Sequence, residues 1–134
     1  MRREKSFTKN LSSLDEVFAF ISTYLQHANV TDVFPIHLAV EEIFANMVRY
    51  NSQNFSDIVI SIEKSGKTLR IHLSDEQAEP FDVTKVKSPE LNVPLPQRKV
   101  GGLGLHLVKQ FVDQVYYEYE NHHSIVILTK TLET

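Results

Sequence analysis

Apolar residues recur along this chain with two different periods, and the switches between them mark out its elements. Leu14, Val17, Phe18, Ile21, Leu25 and Ala28 follow at helical spacing, the pattern of a helix with one buried face. Ser13 followed by Glu16 has the form of a capping box, so the first helix is predicted over about 13 to 28. Thr31 and Asp32 are candidate caps for a second helix, with Pro35 tolerated in its first turn. Ile36, Val40, Ile43, Met47 and Tyr50 would form its buried stripe. Period two takes over at Ile58, Ile60 and Ile62, and after Ser65-Gly66-Lys67 it resumes at Leu69, Ile71 and Leu73, which predicts a β-hairpin. Val115, Tyr117 and Tyr119 alternate with Tyr116, Glu118 and Glu120; beyond the turn Asn121-His122-His123, a last strand from Ser124 to Lys130 completes a second hairpin. Residues 2 to 9 hold one large apolar group, Phe7, among charged and polar neighbours, enough for an edge strand at best.

Between Asp82 and Val100 there is no period, and Pro89, Pro94 and Pro96 exclude regular structure. A segment of that length inside a compact domain is usually a functional lid or disordered. It runs into Gly101, Gly102 and Gly104, followed by Leu105, Leu107, Val108 and Phe111 on a helix predicted over about 103 to 113. Glycines at a helix N-terminus bring unpaired N–H groups and a partial positive charge within reach of a phosphate. A tight turn with close packing would leave the same pattern, and Gly101-Gly102 would also serve as the hinge of a lid. The order of elements, strand, helix, helix, hairpin, lid, helix, hairpin, predicts an α+β fold. In it, helices cover one face of a mainly antiparallel mixed sheet in a two-layer α/β sandwich.

Length and composition narrow the setting. At 134 residues the chain is expected to be one domain over 1–134. It has no cysteine, which excludes a disulfide frame and a thiolate zinc site and suits a reducing cytoplasm. No apolar run reaches membrane-spanning length, and MRREKSFTKN lacks the apolar core of a signal peptide, so a soluble, cytoplasmic protein is expected. With a net charge of −3 and dispersed Lys and Arg, nucleic acid is not the expected partner. None of the six histidines makes a helical i, i+4 ligand pair.

The candidate chemistry lies elsewhere. At about 100° per residue, Glu42 and Asn46 stand only about 40° apart beside the buried stripe of the second helix, whereas Glu41 is about 140° from Asn46. A carboxylate beside a carboxamide can orient a water or hydroxyl and help hold Mg²⁺; the plainer alternative is a local contact at the helix border. Asp75 opens an acidic turn, Asp75-Glu76-Gln77-Ala78-Glu79-Pro80-Phe81-Asp82, where it could also simply end the strand.

Three separated stretches combine: Glu42-Ile43-Phe44-Ala45-Asn46 on a helix, Asp75 with Pro80-Phe81-Asp82 after a strand, and Gly101-Gly102-Leu103-Gly104-Leu105-His106-Leu107-Val108 opening a helix. In that order they resemble the N, G1 and G2 boxes of GHKL ATPases, and within that superfamily the small anti-sigma-factor serine/threonine kinases of bacteria. The resemblance covers nearly the whole chain. It implies a Bergerat-type sandwich with ATP between the helix layer and a lid over about 82–100. By position, Asn46 would coordinate Mg²⁺, Glu42 would be the general base toward a serine hydroxyl, and Asp75 would accept from the adenine amino group. Gly101, Gly102, Leu103, Gly104 and Leu105 would line the phosphates, Arg98 would reach one of them, and the Ser124 hydroxyl would stand on the adenine side. The partners implied are a sigma factor and a STAS-type antagonist, with a homodimer paired through the N-terminal edge strand. Two positions depart from the family pattern: Gln77 stands where the G1 glycine usually is, and His123 precedes Ser124 where a glycine is usual. Those departures motivate an alternative, a nucleotide-gated binding module without useful catalysis; a purely structural interaction domain is a third reading.

Overall fold

A computed structural model describes residues 1–50, 56–76, 108–110, 112–120 and 123–132, apart from the side chain of Tyr50. The elements are β1 (Arg2–Phe7), a 3-10 turn (Leu11–Ser13), α1 (Leu14–His27), α2 (Phe34–Tyr50), β2 (Ile58–Ser65), β3 (Thr68–Asp75), β4 (Gln114–Glu120) and β5 (His123–Thr131). Residues 108–110 are helical, and Val112 and Asp113, at the end of the helix predicted over 103 to 113, form a bend instead; residues 103–107 and 111, the lid and the turn residues 121–122 lie outside the described residues.

The strands form one sheet in the order β1-β2-β3-β5-β4, antiparallel at every described pairing. Each of the two predicted hairpins is there, and the weak N-terminal segment is the edge strand its composition suggests. Alternation explains why one face is covered. Ile58, Ile60 and Ile62 of β2, Leu69, Ile71 and Leu73 of β3, and Val126 and Leu128 of β5 are all buried, and they join Val17, Ile21 and Leu25 of α1 and Ile36, Val40, Ile43, Phe44 and Met47 of α2 in one core. The intervening residues of β3, among them Arg70 and His72, lie on the other face and are not buried. The result is two layers, helices on a sheet.

Hydrogen bonds at the layer boundary fix α1 in place. The Tyr24 hydroxyl donates to the Met1 carbonyl at 2.5 Å and accepts from the Lys64 amide at 2.7 Å, tying the helix to β1 and β2. The helix ends in a Schellman arrangement: Asn29 is left-handed (φ 58°), its N–H donates to Gln26 O, and that of Val30 donates to Leu25 O.

Three details depart from the sequence reading. Ser13 does not form a capping box. The 3-10 turn ahead of α1 already holds it in a right-handed helical conformation, its hydroxyl donates to Thr8 O at 2.8 Å, and Asn10 Oδ1 accepts from Ser12 N instead. The second helix starts at Phe34, with the Val33 carbonyl accepting from His37 N, so neither Thr31 nor Asp32 is its cap. Phe18, assigned to the apolar stripe, is 47% exposed; its ring stacks on that of buried His37 at 4.1 Å between centroids.

The registers place Phe7, Ile58, Asp75, Ser124 and Tyr119 side by side in one row across all five strands. Directly opposed residues in antiparallel strands share a face, so Asp75 and Ser124 sit together on the face that carries the core. At mid-strand the same face is apolar and tightly packed. Leu73, fully buried two residues from Asp75, should cost about 2–5 kcal/mol when cut to alanine. Urea unfolding would measure this; a loss below about 1 kcal/mol would mean that the end of β3 is not part of the core.

Candidate functional site

On α2, spacing puts Glu42, Asn46 and Arg49 along one flank, at i, i+4 and i+7. Asn46 is wholly buried, and its Oδ1 accepts from Arg49 Nη1 at 3.0 Å. A guanidinium only donates, so it holds the amide oxygen toward itself and turns Nδ2 away. Among the described residues Asn46 Nδ2 has no partner, nor does the buried Glu42 Oε1. Burial pushes the Glu42 carboxyl above its ordinary range, with the nearby Arg49 charge opposing the shift. A buried polar atom left unpaired costs about 1–3 kcal/mol, and two on one helix flank call for an explanation. A ligand that donates to Glu42 and accepts from Asn46 supplies one.

The other half of the site is on the sheet. Asp75, at the end of β3, is wholly buried, and Ser124, opposite it on β5, is 2% exposed. Ser56 Oγ donates to Asp75 Oδ1 at 2.9 Å. Lys9 Nζ lies 2.7 Å from Asp75 Oδ2 in an ion pair whose two side chains are 1% and 0% exposed. Asp75 is therefore more than a strand terminator, since ending a strand needs no buried charge. His123 begins β5 and is exposed.

Of the residues singled out in the sequence, Glu42 and Asn46 thus flank α2, which packs on β3, while Asp75 and Ser124 pair at the end of β3 and β5. Gln77, Arg98, Gly101, Gly102, Leu103, Gly104 and Leu105 lie outside the described residues. Two contributors escaped the sequence reading. Arg49 had a signal, its i+3 spacing from Asn46. Lys9 had none, because it meets Asp75 only through the pairing of β1, β2 and β3.

Among the described residues no cluster of three or more His, Asp or Glu side chains could hold a metal ion. The donor set fits Mg²⁺ in another way: Asn46 Oδ1 is a hard oxygen, and Mg²⁺ takes few protein ligands where phosphates supply the rest. Asn46 Oδ1 would have to exchange its Arg49 contact to serve.

Comparison with known proteins gives the family and the fold. The family described as the histidine kinase-like ATPase domain matches residues 7–130. The chain belongs to that family, within the GHKL superfamily, and ATP is the ligand that membership implies. Among solved structures, the RsbU and RsbW domains of Rv1364c from Mycobacterium tuberculosis superpose with a TM-score of 0.70 at 14% identity, over 98% of this chain and 32% of that one. The histidine kinase AdeS of Acinetobacter baumannii superposes with a TM-score of 0.57 at 14% identity, over 98% of this chain and 68% of that one. The chain thus spans about a third of the first structure's length. At such identity the likeness is one of fold. No curated protein sequence matches significantly. No described helix is long and apolar enough to cross a membrane.

The raised Glu42 carboxyl makes a prediction about stability. Folded Glu42 keeps its proton to higher pH than it does in the unfolded chain, so its contribution is fully present below the unfolded value and is lost as pH rises through the folded one. Glu42→Gln, which cannot ionise, should match the parent near pH 4 and unfold at higher temperature than the parent at pH 7.5. Equal melting temperatures at both pH values would show that burial leaves Glu42 unstrained.

Proposed function

We propose that this chain binds Mg²⁺-ATP between α2 and the ends of β3 and β5, and transfers the γ-phosphoryl group to a serine of a STAS-type antagonist protein. In the same proposal it sequesters a sigma factor. The observation that carries the reading is the pair of buried atoms, Glu42 Oε1 and Asn46 Nδ2, that have no partner among the described residues, on one flank of α2.

The chemistry asked of these residues is modest. Phosphoryl transfer depends on positioning and charge stabilisation more than on covalent participation. Glu42, made more basic by burial, takes the proton from the attacking hydroxyl; the serine oxygen bonds to the γ-phosphorus as the bond to the β,γ-bridging oxygen breaks, and ADP leaves. Asn46 orients the phosphate end, Asp75 accepts from the adenine amino group, and Ser124 stands beside it. When bound, Mg²⁺ neutralises charge on the phosphate oxygens. Gly101, Gly102, Leu103, Gly104 and Leu105 are assigned the phosphates by sequence position, as is Arg98, with about 82–100 as the lid. We assign the same protein a homodimer built on the free side of edge strand β1; sedimentation as a monomer at micromolar concentration would refute it.

A nucleotide-gated binding module is the second reading. It is favoured by the ion pair that already engages Asp75. Transfer of label from γ-labelled ATP to the antagonist separates the two. The kinase reading expects transfer to fall by about 10²–10⁴-fold in Glu42→Gln with ATP binding retained, and Mg²⁺-dependent ATP binding to be lost in Asn46→Ala. Label transfer unchanged in Glu42→Gln would remove Glu42 as the base.

A further inference from the structure

Lys9 carries the argument one step beyond the family pattern. It follows Phe7, the last residue of β1, by two positions, and reaches past β2 to the end of β3, where its ammonium meets Asp75 Oδ2 at 2.7 Å. With the two side chains 1% and 0% exposed, this is not a solvated surface pair. Taking two such charges out of water costs several kcal/mol per ion, which only close mutual pairing offsets. The fold therefore specifies the contact, and the Ser56 hydroxyl fixes the other carboxylate oxygen at 2.9 Å.

Asp75 is also the carboxylate that the proposed function assigns to the adenine amino group, and this inference rests on that reading. An exocyclic amino group is a neutral donor; an ammonium is a charged one, and charged donors make hydrogen bonds roughly twice as strong. Lys9 is moreover tethered, so its effective concentration at Asp75 is on the order of millimolar or higher. We propose that Lys9 is a built-in competitor for the base subsite, a residue that sets nucleotide affinity and base preference by occupying Asp75 until a nucleotide displaces it.

Two consequences follow from donor and acceptor chemistry. Without the ammonium, Asp75 loses the charge that lies 2.7 Å from its Oδ2 in the free protein. The free protein is then less stable, and the adenine amino group meets a carboxylate that no longer has to give up a cation. Base preference changes as well. An ammonium beside Asp75 can donate to a 6-oxo group, so the parent protein tolerates a hypoxanthine or guanine base, whereas without Lys9 that oxygen would face the bare carboxylate.

The test is calorimetric titration of the full chain with Mg²⁺-ATP and Mg²⁺-ITP, comparing the parent with Lys9→Met, which keeps the stem and removes the charge. Lys9→Met should bind ATP about tenfold tighter, equivalent to about 1.4 kcal/mol, while ITP does not tighten and the melting temperature of the nucleotide-free protein falls. A merely structural role would weaken both nucleotides together. ATP binding by the parent with unchanged or weaker binding in Lys9→Met overturns the competitor and leaves the ATP-binding reading standing; absence of ATP binding in both proteins overturns both. Lys9→Arg keeps the charge and guards against a variant that fails to fold: it should bind ATP no more tightly than the parent, and tighter binding there would also overturn the proposal.

Discussion

One face of the sheet is buried by alternation along its strands, and at the end where β3 meets β5 that burial takes in polar groups as well as apolar ones. That is the constraint on which the rest depends. At mid-sheet, Ile60, Leu73 and Val126 need only fill space against the helices, and they are fully buried. Two residues further, the same alternation buries Asp75 and Ser124, and on α2 Asn46 is wholly buried. A polar atom taken out of water must find a partner or incur a penalty. Asp75 finds Ser56 and Lys9 within the chain; Glu42 Oε1 and Asn46 Nδ2 do not, among the described residues.

This difference in satisfaction divides the site by chemistry. On the sheet side a carboxylate stands against an ammonium, Asp75 Oδ2 2.7 Å from Lys9 Nζ. On the helix side, Glu42 Oε1 and Asn46 Nδ2 have no partner among the described residues. Arg49 links the two aspects on α2, since it pins the Asn46 oxygen and tempers the charge of Glu42.

Local rules made most of the architecture legible. Period two in Ile58, Ile60 and Ile62 and in Leu69, Ile71 and Leu73 specified the central hairpin because each side chain's face follows from backbone pleat alone. Helical spacing likewise put Glu42 and Asn46 on one flank. What spacing could not give was depth: Asn46 is wholly buried because of what packs over it, and only tertiary structure decides that. Ser13 misled for a related reason. A capping box requires an extended N-cap residue, and the 3-10 turn before α1 leaves Ser13 helical. The ion pair of Lys9 with Asp75 was illegible in principle, since it depends on the registers of β1 against β2 and β2 against β3 rather than on any local pattern.

The proposed function puts the nucleotide at the Asp75–Ser124 end of the sheet. The most direct measurement is two-dimensional amide NMR of isotope-labelled protein titrated with Mg²⁺-ATP. The account predicts shifts concentrated at Glu42, Asn46, Asp75 and Ser124, with the opposite end of the same strands, Gly66, Lys67 and Thr131, unmoved. Shifts centred on that opposite end, or a spectrum indifferent to saturating nucleotide, would contradict it.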